Sequence, residues 1–598
     1  MSRRTLATRS SAPLLPTACL LVLSSTLTGD RAAAFDPPPQ RVLEALDPTR
    51  LARSLCTGRA AGTGLRLRLA AAAGFAQEQL GLPIALATGV PVSTLPVTTS
   101  SEQARRYFDQ GMLLMFGFNH AGAVRSFRAA QRLDPGCALC FWGEALALGP
   151  NINAPMAPEA LAPALAALER ARSLRASARP AEQALIDALA ERYKADPAAD
   201  RPTLDAAFAR AMVAASARFP DNDDLAILAA EAVIDTRPWD YWEGDNRTPR
   251  PGMDKAIELT EAVLARNPGH IQAAHVYIHL MEASDGARRA EPAADRLAAT
   301  APPAGHLLHM PAHIYYRLGR YADSLRVNIA AVENDRAYIA ESGDEGLFRY
   351  GYYPHDVHFM VASAQLAGNM KVAVREARAL SQLLDPTVAT DIGWIQLIHA
   401  APYFAFAQFA PPRETLALGA SPLPFVQAMR HFSRATAFAR MKDRAGFSAE
   451  IAAMRAIAAN NDFADLTSQA VPAPDLLRLA QAVAQGKMAY ATHDYAGAAE
   501  HYRAAIAIGK MLPYNEPPLW FYPVEQSLGA ALYKLGRYDE ASQAFRAALV
   551  VAPANGWALY GLAQSEEARG DRVQAAAARA AMRKLWQGDP AWLRMDRL

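Results

Sequence analysis

One phrase recurs along this chain at fixed internal spacing. Towards the C-terminus it runs Gly529, then Gly536-Arg537-Tyr538-Asp539-Glu540-Ala541, Phe545, Ala548 and Pro553. Gly111, Ala123, Phe127, Ala130 and Pro135 keep the same intervals, and so do Gly486, Ala498, Tyr502 and Ala505. Self-similarity at a fixed period marks a stack of small units that bury a continuous core between neighbours and need no compact centre. The length agrees, because 598 residues are too many for one ordinary core. Alanine is abundant and alternating Val/Ile/Thr runs are scarce, which favours close-packed helices over strands. A hydrophobic share of 51% fits a folded soluble protein, and a net charge of +2 gives no reason to expect nucleic acid as a partner.

The spacing resembles the tetratricopeptide repeat (TPR), a helix–turn–helix unit with small residues at positions 8, 20 and 27, an aromatic at 24 and proline at 32. The resemblance implies an all-α fold, a right-handed α-solenoid of TPR-like helix pairs. Small residues then let helices A and B of each unit approach closely, and the proline ends helix B. Frames start near 104, 138, 223, 271, 305, 354, 430, 479, 522 and 556, with the frame at 430 loose and those at 138 and 223 diverged or interrupted. Two longer insertions, 238–251 and 334–353, flank the histidine-rich stretch, and long loops in a repeat array are more often functional than accidental. The expected divisions are a signal peptide at 1–34, an irregular cap or linker at 35–100, a solenoid with a histidine-lined groove at 101–420, and a C-terminal TPR array at 421–598.

Seven of the thirteen histidines lie between His275 and His358: His275, His279, His306, His309, His313, His355 and His358. Even spacing would put roughly two there. In the repeat frames they occupy positions 2, 5 and 9 of three successive A helices. At 100° per residue these positions form one stripe. The resemblance places that stripe on the concave groove, so all seven should face it together. Imidazoles from helices roughly 8–10 Å apart can meet at one ion. Glu231 falls at position 9 one helix earlier and joins the candidate ligands. Gln272 at position 2, and Glu282 and Tyr316 at position 12, form the second layer of the groove, where a carboxylate either ligates or holds a ring. Seven imidazoles exceed the usual four ligands of one ion, so either two ions bind or some rings act as bases and supports. Alternatives are a groove holding an anionic peptide or small acid, and a hydrogen-bonded structural network.

The N-terminus has the form of an export signal: Arg3, Arg4 and Arg9, an apolar run Leu14 to Leu27, and Ala32-Ala33-Ala34 before Phe35. It is too short and broken for a membrane span, and no later segment is apolar enough for one. The expected location is therefore periplasmic or secreted. Cys137 and Cys140 make a CxxC where a helix should start. A redox or metal role is weighed there against a local disulfide or two buried small residues. No nucleophile elbow, phosphate loop, dinucleotide fingerprint or HExxH is present. The expected function is an exported TPR-solenoid protein holding a transition metal (copper, zinc or iron), and possible catalysis as a hydrolase or oxidoreductase would rest on the histidines. The alternative is a non-catalytic scaffold whose groove takes a small molecule, peptide or protein partner.

Overall fold

The structure, a computed structural model, describes residues 80–196, 199–344 and 346–598. The expected leader, most of the 35–100 cap, Cys19 and Cys56 lie outside the described residues.

Antiparallel helix pairs follow one another from Glu102 to Leu585, and among the described residues the only β feature is a single bridge, Trp242 to Pro249. The recurring phrase explains how the pairs close. Phe127 on one helix B fits between two A-helix glycines: an added Cβ would lie 2.6 Å from its ring at Gly111 and 2.5 Å at Gly143. Phe545 sits likewise between Gly529 and Gly561, and Tyr502 lies against Gly486. A side chain on either glycine would push the helices apart. Asx residues cap the incoming B helices: Asn119 accepts from the Gly122 amide, Asn369 from Val372 and Asp494 from Gly497.

The all-α solenoid expected from the repeats is observed. A helices start at Ala138, Asp223, Ile271, Gly305, Tyr353 and Gly556, on or next to the expected frames. The frames at 430 and 479 are late, because those helices begin at Pro424 and Ala473. Helices Pro180–Ala190 with Arg201–Arg218, and Gly393–Phe409, have no frame at all. They lack the glycine–aromatic phrase and are packed instead by larger residues such as Leu185, Ile186, Phe208 and Phe404.

Three features close the array around its middle. Residues 80–100 form no helix but run across the first helices, with Leu95 and Val97 buried and the Ser93, Thr94 and Thr98 hydroxyls donating to Asp224 and Glu182. The last helices return to the centre: Trp557 Nε1 donates to Gln365 O at 3.1 Å, and the Gln587 amide to Ala367 O at 3.0 Å. The segment between helices Tyr495–Gly509 and Glu525–Lys534 enters the interior, where the Tyr514 hydroxyl lies 3.4 Å from Glu282 Oε2. One hydrophobic core holds the N-terminal pairs together with the last two pairs, and a second spans Ala389 to Ala531, so the expected boundary at 420 falls inside the second core. Cys137 and Cys140 form a local disulfide across the first turn of helix Ala138–Ala147, fully buried, which leaves neither sulfur for a metal.

Gly561→Ala should cost about 1–3 kcal/mol by overpacking against Phe545 and lower the first calorimetric melting transition. Gly269→Ala, whose added Cβ meets nothing within 4 Å, should leave that transition unchanged.

Candidate metal centre

Three A helices carry the histidines. Helix Ile271–Glu282 supplies His275 and His279. The next is split by Pro311 into Gly305–His309 and Pro311–Arg317, bringing His306, His309 and His313. Helix Tyr353–Ala367 brings His355 and His358. Stacked in register, they gather six of these seven rings into two triads: His275, His279 and His306, and His309, His313 and His355, each with one ligand nitrogen per ring within 4.8 Å of the others. The expected open groove is not found here. His275, His279, His306, His309 and His313 are only 0–3% exposed. His358 joins neither triad; it lines a small cavity with Tyr316, Gln365 and Pro517.

Hydrogen bonds to the outer nitrogens determine which nitrogen of each ring is free. Glu282 accepts from His279 Nδ1 at 2.7 Å and from His313 Nδ1 at 2.6 Å, so one carboxylate holds a ring from each triad. A carboxylate only accepts, so both Nδ1 atoms carry the proton. His309 Nδ1 faces Asn328 Oδ1 at 2.6 Å, and the amide orientation is set because Asn328 Nδ2 donates to Ser324 O. His275 Nδ1 faces Gln272 Oε1 at 2.9 Å, with Gln272 Nε2 turned to Glu231 at 3.2 Å. The Nε2 atoms of His275, His279 and His309 are therefore lone pairs while those rings are neutral, whereas His313, shifted upward by Glu282, is the ring that most readily keeps a second proton. In the second triad His309 Nε2 lies 2.7 Å from His313 Nε2 and 3.2 Å from His355 Nε2. In the first, His275 Nε2, His279 Nε2 and both nitrogens of His306 are buried with no hydrogen-bond partner. Leaving a buried polar atom unpaired costs about 1–3 kcal/mol each.

Glu231 is thus not beside the triads as a ligand but one residue behind, reaching His275 through Gln272. Burial, with Asp235 adding to it, raises its carboxyl to about 8. Glu282 and Gln272 hold rings as expected of the second layer. Tyr316 is buried against Phe359 and Tyr321, at 5.5 and 5.2 Å between ring centroids, and touches no histidine ring. His399 is buried elsewhere and belongs to neither triad.

Each triad is floored by a phenylalanine that the repeat register did not mark. Phe359 lies 5.0 Å from His309 and 4.8 Å from His313. Phe118 lies 5.0 Å from His275 and 4.9 Å from His306. Trp239, from the 238–251 insertion, meets His279 edge-on at 5.3 Å. Phe118 and Trp239 both have left-handed backbone, φ 55 and 61, which non-glycine residues seldom adopt and which clusters at functional sites. Also unmarked were Asn328, Tyr514, Glu516, and the buried pair Asp335 and Asp356 behind His309, where Asp356 Oδ1 is 3.5 Å from His309 Nδ1. Asp356, directly after His355, had a sequence signal; the others come from a turn, a B helix or a remote loop and had none.

Burial moves the ring pKa values in one direction. It drives His275, His306, His309 and His355 well below the usual imidazole value, helped by the neighbouring rings, and lowers His279 despite Glu282. His313 is the exception: burial lowers it, but the Glu282 carboxylate outweighs burial and the net shift is upward. Glu282 itself is held as an anion by His313 and His279 against the penalty of burial. Neutral imidazoles with inward lone pairs and outward Nδ1–H donors are the form that binds a transition metal.

Stacked antiparallel helix pairs around this cluster define an α-solenoid built from repeats. Residues 526–555 match the family described as tetratricopeptide repeat. With the same glycine–aromatic packing at both ends of the array, the chain is a TPR superfamily protein. No curated protein sequence matches it. Among solved structures, a human IFIT1 dimer with PPP-AAAA aligns at 12% identity over 79% of this chain and 94% of that one, TM-score 0.26. The APC/C hetero-tetramer Cut9-Hcn1 aligns at 14% identity over 83% and 95%, TM-score 0.25. Superpositions this loose add nothing to the site.

Acid should destabilise the metal-free protein. An unfolded histidine takes up a proton near pH 6.5, whereas the folded chain resists it; burial holds His120 and His358 at about 4. The contribution of these buried rings is full above about pH 6.5 and is lost as pH falls towards 4, because the unfolded state then binds more protons. It outnumbers the opposing contribution of raised carboxyls such as Glu231 and Glu516. Melting temperature measured between pH 7.5 and 4.5 in chelator should fall steeply, and a flat profile would contradict the buried neutral rings.

Proposed function

We propose that this is an exported TPR-solenoid protein that binds two transition-metal ions, one in each histidine triad, and works as a metalloenzyme. The observation that carries the reading is the convergence of buried imidazole nitrogens in two triads, with the Nδ1 atoms of His275, His279, His309 and His313 tied outward to oxygen acceptors. In a tetrahedral site with bonds of about 2.0–2.1 Å, ligand nitrogens sit roughly 3.3 Å apart; His309 and His355 are at 3.2 Å, whereas His309 and His313, at 2.7 Å, must move apart to share an ion. Three imidazoles with no carboxylate among them suit zinc or copper better than non-haem iron, whose usual set is two histidines and one carboxylate. Three protein ligands also leave a position open, as catalytic rather than structural zinc sites do. A bound ion would supply Lewis acidity or, for copper, redox chemistry. The chain's residues do the rest: Glu282 fixes the tautomer and aim of His279 and His313, Phe118 and Phe359 shield the nitrogens from water, and Tyr514 closes the groove beside Glu282. The leader residues and the Cys137–Cys140 disulfide support an oxidising, extracytoplasmic location. Among the described residues no helix is long and apolar enough to cross a membrane.

The competing occupant is a proton shared between His309 and His313, favoured by the upward shift of His313. It would leave the first triad unexplained. Elemental analysis of tag-free protein should find about two ions per chain. His275→Ala with His306→Ala should remove one, and His309→Ala with His355→Ala the other. A chain that holds no metal, and whose melting temperature ignores added zinc and copper, contradicts the proposal.

Glu282→Gln should weaken both sites together by about 10–100-fold, since it removes the shared anchor of two ligand rings. Loss at one site only would show that the carboxylate does not couple them. Copper(II) should also quench fluorescence from Trp239, and Trp239→Phe should remove the fraction of quenching that disappears with His275→Ala and His306→Ala.

A further inference from the structure

A cavity of about 110 Å³ adjoins the first triad, lined in part by the 149–157 segment, whose Asn153 Oδ1 accepts from Trp239 Nε1 at 3.0 Å. Its walls are mostly apolar, with Phe118, Leu148, Pro155, Leu347, Phe348 and Tyr352 among them. Phe118 and Tyr352 are also the wall shared with the triad: they stack at 5.9 Å and lie 4.9 and 5.5 Å from His306. The single charged lining residue, Glu159, is exposed at the rim. His120 is neutral and fully satisfied, with Nδ1 donating to Ala147 O at 2.8 Å and Nε2 accepting from Asn151 at 3.1 Å. The Tyr352 hydroxyl and the Asn119 side chain are buried against protein neighbours, Asn153 and Tyr338, and neither offers a free group to the cavity.

We infer that this cavity binds a small, neutral, largely apolar molecule, and that it is the substrate pocket serving the first triad. Volume sets the size. A cavity of about 150 Å³ holds benzene, so this one takes on the order of five non-hydrogen atoms. Charge sets the class, since nothing inside pairs with an ion, and burying an unpaired charge is prohibitive. Phe118 is the residue that joins pocket to triad. Its left-handed backbone is held by the Phe118 amide donating to Met115 O and the Asn119 amide to Leu114 O. That turn keeps the ring between the cavity and His306 in place of the outward position a relaxed turn would allow.

The substrate role rests on reading the histidines as a metal centre; the binding itself does not. The test therefore uses the full chain both zinc-loaded and chelator-stripped. The probes are 1-butanol, butyrate and butylammonium, similar in size and differing in headgroup and charge, followed by saturation-transfer NMR and by histidine-selective ring resonances. Butanol should bind saturably in both forms and shift the His306 and His275 signals but not those of His355. The two ions should bind at least about tenfold more weakly. Leu148→Phe and Ala154→Leu, which fill the cavity from different sides, should each reduce butanol binding about tenfold while metal uptake stays as in the wild type. Equal binding of butyrate, butanol binding that survives both variants, or an unmoved His306 signal overturns the inference. Loss of metal binding with the butanol response intact overturns the metal reading alone.

Discussion

Close packing of an aromatic ring into a glycine face sets the helix spacing at both ends of this array. Phe127 between Gly111 and Gly143, and Phe545 between Gly529 and Gly561, leave no room for a methyl group. That contact holds the helices there at near-minimum separation. Along the array the parallel A helices arrive in register, and residues at equivalent positions on successive helices become neighbours. In the histidine repeats the position of those glycines is filled by Ile278, Ala312 and Val361, all fully buried, and six imidazoles meet because helices Ile271–Glu282, Pro311–Arg317 and Tyr353–Ala367 stack side by side there.

Glu282 then turns neighbouring rings into a site. It is fully buried and bears a charge, which is expensive unless the charge is paired. Two imidazole N–H donors from different helices satisfy it. In return both rings are locked with Nε2 pointing inward. Asn328 and Gln272 do the same for His309 and His275 with neutral carbonyls. The result is a cluster that gathers imidazole nitrogens in a dry interior, an arrangement that a bound cation would stabilise.

The site is closed by parts that lie far away in the chain. Phe118 comes from the first repeat, Trp239 from an insertion, and Tyr514 from a loop near the C-terminus. Curling of the array brings them together, and the returns of Trp557 and Gln587 onto helix Tyr353–Ala367 pin that curl. An α-solenoid of this kind ordinarily offers a groove to a peptide. Here its middle is filled, which is why the interior suits an ion and a small neutral molecule better than an extended chain.

The sequence by itself determined the helical repeat, the frames from 271 to 354 and the membership of the histidine stripe, because small residues and imidazoles at a fixed period leave a one-dimensional record that needs no folding to read. It also marked Glu282 and Gln272 as second-layer groups from their helical positions. Only the tertiary structure decided that the stripe divides into two triads, that His358 falls outside both, and that Glu231 acts through Gln272. It also decided that Phe118, Phe359, Asn328 and Tyr514 belong to the site. Those facts depend on how rings rotate against partners contributed by B helices, turns and distant loops, and such pairings have no period along the chain. Two repeats, starting at Pro180 and Gly393, were hidden for a related reason. Bulky residues there replace the glycine–aromatic contact, so the packing is conserved in three dimensions while its signature in one dimension is gone.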